Sequence, residues 1–117
     1  MAANGAKPVF GVSSTFIQRT YDQISHDLCL SNNPAVIAVF SASVFGMSDA
    51  THVGIFDIAM LSNIPNLVYL APATKEEYLA MLEWGIEQTA QPVAIRVPGK
   101  TMVLSKASQT AMYQRNF

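Results

Sequence analysis

At 117 residues, half of them apolar and 13% charged, with a formal net charge of −1, the chain is sized for one small domain with its own hydrophobic core. That balance argues against a disordered chain, and seven basic residues against eight acidic ones leave no basic stripe for nucleic acid. The single cysteine, Cys29, excludes an internal disulfide and fits a reducing compartment. No apolar run approaches the ~20 residues of a transmembrane helix. "MAANGAKPVF" lacks the order of a signal peptide, so a cytoplasmic chain with no membrane partner is expected.

"KPVFGVSS" (7–14) is an apolar run with valines between polar residues and predicts a buried strand. Thr15 and Gln18 then stand at capping-box spacing. Ile17, Tyr21, Ile24 and Leu28 recur at steps of four, three and four, which predicts one helix with a buried face, stopped by "NNP" (32–34). "AVIAVFSA" (35–42) is apolar over six consecutive residues, as a strand covered on both sides should be. A loop, "SVFGMSDAT", leads to a helix from about Val53 to Ser62, and "NIPN" (63–66) turns the chain into a third strand, "LVYLAP" (67–72). Thr74 and Glu77 form a second capping box, opening a helix through Thr89 with Tyr78, Leu82 and Ile86 in register. "QPVAIRVPG" (91–99) reads as a fourth strand, and the tail that follows is expected to be partly disordered.

Strand–helix alternation of this kind implies an α/β fold, a parallel sheet with helices on both faces joined by right-handed crossovers. Such sheets bind ligands outside the carboxyl ends of their strands. Those ends here are "SSTF" (13–16), "SASVFGMSDATH" (41–52), "APATK" (71–75) and "RVPGK" (96–100), which brings Arg19, His52 and Arg96 near one edge. His52 is either an acid–base group or a water-exposed residue of a first helical turn, with Gly54 beside it permitting close approach. Arg96 either forks onto an anion or pairs with a surface carboxylate. Arg19 has Asp22 and Gln23 near it and reads first as a local solvated pair. Phe16 is a core residue by default, or an aromatic face at the strand end for a planar ring. His26 reads as a surface residue.

Several chemistries are not indicated. There is no glycine-rich phosphate loop, no Cys/His cluster with metal-ligand spacing and no nucleophile elbow. The strand ends are Ser, Ser, Pro and Val, which supply no phosphoacceptor carboxylate.

"KPVFGVSSTFIQRTYDQISHD", "THVGIFDIAMLSNIPNLVYLAPA" and "PVAIRVPG" resemble the pyrimidine-binding domain of the thiamine-diphosphate-dependent transketolase group, from about Ala3 to Gly99. The S-T-F-x-Q-R and T-H-x-G-x-F-D signatures together carry the likeness. The resemblance implies that Phe16 stacks on the cofactor's aminopyrimidine and that Arg19 lines the pyrimidine pocket. It implies further that His52 hydrogen-bonds substrate oxygens and assists proton transfer, and that Arg96 holds an acceptor phosphate. Thiamine diphosphate and Mg²⁺ are the cofactors implied for the parent enzyme, with the diphosphate and metal site in a separate domain.

The chain also departs from the family pattern. Ser13, Ser41 and Ser48 stand where the family has tyrosine, arginine and aspartate. The family's catalytic glutamate falls upstream of the resembling stretch, and Glu76, Glu77, Glu83 and Glu87 do not match it. The expectation is therefore residues 1–100 as a partial domain, truncated at its N-terminus, and 101–117 as a tail or a linker. Alone, such a chain would be inactive, bind no cofactor and self-associate through an uncovered apolar edge. The parent would be a dimeric synthase acting on small molecules, condensing pyruvate with glyceraldehyde 3-phosphate. A transketolase, a 2-oxoacid dehydrogenase subunit and a non-catalytic assembly module are the alternatives.

Overall fold

The computed structural model of the chain describes residues 1–44 and 50–98. The expectations placed on the tail, and the departure noted at Ser48, lie outside those residues. Four strands, β1 (Val9–Ser13), β2 (Val36–Phe40), β3 (Val68–Leu70) and β4 (Val93–Arg96), form one parallel sheet in the order β1-β2-β4-β3. The register sets Val9, Val36, Val93 and Val68 in one row across the sheet, β-branched side chains on neighbouring strands.

Strand order decides which face each helix covers. The chain moves the same way along the sheet from β1 to β2 and from β2 to β3, then turns back to reach β4. Right-handed crossovers therefore put the first two connections on one face and the third on the other. Side-chain alternation divides the core to match. Ile37, Val39 and Ala94 pack with Ile17, Ile24, Leu61 and Ile64 on one face. Val36, Val93 and Ile95 pack with Tyr78, Leu82 and Ile86 on the other. The helix α4 (Lys75–Glu87) supplies that second face and opens with the expected capping box between Thr74 and Glu77. Gly85 is its buried residue, because a Cβ there would lie 3.1 Å from Val36 Cγ2; the close approach offsets the roughly 1 kcal/mol that glycine costs inside a helix.

Two sequence expectations are corrected on the first face. The single helix expected after β1 is a succession of short pieces: α1 (Ser14–Ile17), a 3₁₀ turn (Gln18–Thr20), α2 (Tyr21–Gln23) and a π-helix (Ile24–Leu30). Its N-cap is Ser13 and makes no side-chain cap bond, so Thr15 and Gln18 lie inside the helical run and not at its cap. The Thr20 hydroxyl donates to the Ile17 carbonyl at 2.7 Å and that of Ser25 to Asp22 at 3.0 Å. Hydroxyls that bond back to the preceding turn compete with the backbone ladder and bend helices. The next helix, α3, runs Phe56–Ser62 after an N-cap at Ile55 with no side-chain bond, so it starts three residues later than expected and His52 stands in the loop before it.

The buried side of α3 is anchored by Leu61, 1% exposed between the sheet and the helices after β1. Truncating Leu61→Ala should cost about 2–5 kcal/mol of unfolding free energy in urea titration. A loss below about 1 kcal/mol would mean that this face is loosely packed.

Candidate functional site

The carboxyl edge of the sheet is built around Asp57, the second residue of α3, which is fully buried. Its Oδ1 accepts from the Ser14 hydroxyl at 2.8 Å. Its Oδ2 accepts from the Tyr69 hydroxyl at 2.7 Å and from Arg96 Nε at 2.9 Å. Arg96 also donates through Nη2 to the Gly54 carbonyl at 3.0 Å. A buried carboxylate costs several kcal/mol unless it is paired and hydrogen-bonded, and Asp57 has both a cation and two hydroxyls. Among the described residues no buried side-chain nitrogen or oxygen lacks a partner.

These donors come from separate parts of the chain. Ser14 follows β1, Tyr69 is in the middle of β3, and Arg96 ends β4. Asp57 thus ties α3 to three strands at one point. Burial pushes the Tyr69 phenol above its ordinary range, and its bond to Asp57 raises it further by favouring the protonated donor, against a smaller lowering by Arg96. Burial likewise raises the Cys29 thiol.

The loop over this hub is locked by backbone contact. A Cβ on Gly54 would lie 2.0 Å from the Ser41 carbonyl oxygen and 2.7 Å from the Ser43 nitrogen, so only glycine fits. Gly54 N–H donates to the Ser43 carbonyl at 3.2 Å, and Ser41, just past β2, has a positive φ of 54°. Strain of that kind persists only where the surroundings over-determine it.

Above the locked loop stand two of the residues singled out from sequence. Phe16 is 57% exposed, and its ring meets that of His52 edge to face, centroids 5.8 Å apart at 81°. His52 is exposed, with Nδ1 2.7 Å from the Thr51 hydroxyl. Arg19 is exposed in the 3₁₀ turn one helical turn beyond Phe16. Asp22, its possible local partner, instead pairs with His26 at 2.8 Å, both at the surface. Arg96 reaches the same rim from below, its side chain 19% exposed and two of its donors committed to Asp57 and Gly54. The carboxylate it meets is buried, not the surface one considered from sequence.

Asp57 escaped the sequence reading although it was quoted within T-H-x-G-x-F-D. A signal was there: Asp57, Leu61 and Ile64 share one helical face, so a carboxylate sits among core positions and must find buried donors.

A parallel sheet with an exposed aromatic and a histidine paired at its strand ends defines an α/β ligand-binding domain. The chain belongs to the transketolase pyrimidine-binding domain family, whose model, "Transketolase, pyrimidine binding domain", matches residues 1–103. It is 48% identical over 104 residues to 1-deoxy-D-xylulose-5-phosphate synthase of Clostridium botulinum, covering 88% of this chain and 17% of that protein. The same-named enzyme of Trichormus variabilis is 44% identical over 98 residues, covering 84% and 15%. The chain therefore spans about a sixth of the length of these relatives. Among solved structures, "Split gene transketolase, inactive beta4 tetramer" shares the fold with a TM-score of 0.73 at 24% identity, over 86% of this chain and 31% of the other.

The raised phenol makes stability at alkaline pH measurable. In the unfolded chain Tyr69 ionises near the ordinary value of about 10, and in the folded chain higher, so the unfolded state loses its proton first. The Tyr69 contribution is complete below that value and lost as pH rises toward the folded value. Unfolding free energy should fall above about pH 10, and Tyr69→Phe should flatten that fall while costing roughly 1–2 kcal/mol at pH 7. An unchanged alkaline slope in Tyr69→Phe would contradict the assignment.

Proposed function

We propose that this chain forms the pyrimidine-binding part of a 1-deoxy-D-xylulose-5-phosphate synthase, the thiamine-diphosphate-dependent enzyme that condenses pyruvate with glyceraldehyde 3-phosphate. The observation that carries the reading is the Phe16–His52 pair at the strand ends, in a chain 44–49% identical to enzymes of that name. The exposed Phe16 ring has the flat apolar face that an aminopyrimidine stacks on, so the residues present fit that half of the cofactor. Among the described residues no group of three His, Cys, Asp or Glu lies close enough to hold a metal ion, and no step is assigned to Mg²⁺ on this chain.

When bound, thiamine diphosphate supplies the nucleophilic carbon and the electron sink of the reaction. Phe16 orients the pyrimidine by stacking, and Arg19 lines its pocket. His52 hydrogen-bonds substrate oxygens and moves a proton at its imidazole. Arg96 meets an acceptor phosphate only with the guanidinium donors left over from Asp57 and Gly54. With Ser41 in place of the family's arginine, phosphate affinity at this rim is reduced by about tenfold or more for the lost charged contact, and Ser13 removes a tyrosine from the same set.

Residues 1–100 form the domain piece, and 101–117 lead out of it as tail or linker. The 117-residue chain alone neither holds the cofactor nor turns over substrate, since the catalytic glutamate and the diphosphate site lie outside the resembling stretch. Among the described residues no helix is long and apolar enough to cross a membrane, which suits a cytoplasmic enzyme. Exchanging the matching segment of the Clostridium botulinum relative for this chain tests the reading. The chimera should make 1-deoxy-D-xylulose 5-phosphate, and Phe16→Ala and His52→Ala should each lower kcat/KM at least tenfold, while the 117-residue chain gives no product. Activity indifferent to both substitutions, or turnover by the chain alone, would refute it. A chimera that folds but is silent would favour the assembly-module alternative.

The chain also self-associates in this reading. β1 is an edge strand, with Val9 50% and Phe10 54% exposed on its two faces. Light scattering at micromolar concentration should give a mass above 12.7 kDa, reduced to it by Phe10→Lys. A monomer at every concentration would end that part of the proposal.

A further inference from the structure

We infer that Asp57 is a positioning residue that fixes the Phe16 and His52 rings relative to each other, through Ser14 on one side and Arg96 with Gly54 on the other. As a statement about catalysis, the inference rests on the thiamine reading above. As a statement about geometry, it stands on this chain alone.

The two rings have no shared backbone. Phe16 belongs to α1, which leaves β1, while His52 lies in the loop that follows β2 and precedes α3. Exposed side chains 5.8 Å apart gain about 0.5–1.5 kcal/mol from an edge-to-face contact, too little to hold two chain segments in place unaided. Beneath them the segments are joined. Ser14, fully buried and two residues before Phe16, donates to Asp57 Oδ1 at 2.8 Å. Arg96 donates to Asp57 Oδ2 at 2.9 Å and to the carbonyl of Gly54, two residues after His52, at 3.0 Å. The path from one ring to the other therefore runs Phe16, Ser14, Asp57, Arg96, Gly54, His52. Every polar link in it is a hydrogen bond to a carboxylate or to a backbone carbonyl.

Arginine suits position 96 because its planar fork reaches the two acceptors from separate nitrogens, Nε and Nη2, whereas a lysine offers its donors from a single point. Gly54 has no latitude of its own, since any side chain would strike the backbone of residues 41–43. A displacement at Asp57 is thus passed through Arg96 to Gly54 and the backbone of residues 41–43. The third donor, Tyr69, bonds the same carboxylate at 2.7 Å but stands on β3, which carries neither ring. It serves as an internal control: its loss weakens the hub without cutting the path.

The test is the ring-proton NMR shifts of His52 in the full 117-residue chain, which register the Phe16 ring current and need no ligand. Ser14→Ala and Arg96→Lys should move the His52 ring resonances toward those of Phe16→Leu, whereas Tyr69→Phe should leave them near wild type, with circular dichroism unchanged in all. Equal shifts in all three hub variants would reduce the hub to general stability, and no shift in Ser14→Ala or Arg96→Lys would overturn the inference. Either variant that failed to fold leaves the other, on the opposite arm of the path, to decide. In the full-length chimera Ser14→Ala, which touches neither ring nor the remaining donors of Arg96, should lower kcat several-fold with less change in KM. Shifted rings with unaltered kcat would uphold the positioning and reject the thiamine reading.

Discussion

One carboxylate holds the working edge of this domain together. The ladder of a parallel sheet aligns the strand ends, as the Ala42 N–H to Val97 carbonyl bond does past β2 and β4, but it does not fix the helix that packs across them. Asp57 does so, by accepting from Ser14, Tyr69 and Arg96 where β1, β3 and β4 meet α3. The charge is costly to bury and gains only if each lone pair finds a donor in good geometry. That requirement gives the hub its specificity: an edge that shifted by an ångström would leave an unpaired charge in the core. The apolar packing of the two faces tolerates small errors far better.

The rim above the hub combines fixed backbone with exposed side chains. Gly54 sits so close to residues 41–43 that a side chain there would strike their backbone, and Ser41 beside it has a left-handed φ. Phe16 and His52 are left exposed on that support. The ligand face proposed there rests on the pairing of Phe16 with His52 at the strand ends rather than on the exposure of either ring. Arg96, which the sequence leaves open between an anion and a surface carboxylate, turns two of its donors inward to Asp57 and Gly54. In this domain the cation's first duty is structural.

Much of the fold was legible from the chain. Continuous apolar runs mark β2 and β4, alternation with amphipathic segments implies the parallel sheet, and Thr74 with Glu77 marks the start of α4 through a local exchange of hydrogen bonds. What failed was local competition that periodicity does not register: the hydroxyls of Thr20 and Ser25 divide the helix that Ile17, Tyr21, Ile24 and Leu28 outline. The site was legible in part. Phe16 and His52 were placed at the strand ends by topology, and they meet there. The partner of Arg96 was not legible, since Asp57 is 39 residues away and pairing across that distance follows from strand order, which no single segment encodes. An aspartate at a core position of an amphipathic helix was the clue available.

The most direct measurement is a double-mutant cycle on the buried ion pair, read by urea unfolding of Asp57→Asn, Arg96→Met and the combination. Each single change should cost about 3–5 kcal/mol by stranding a buried charge or donor. The double variant should cost at least about 2 kcal/mol less than their sum, because the two losses are one event. Additivity within about 0.5 kcal/mol would show two independent residues, and the edge would then have no common anchor.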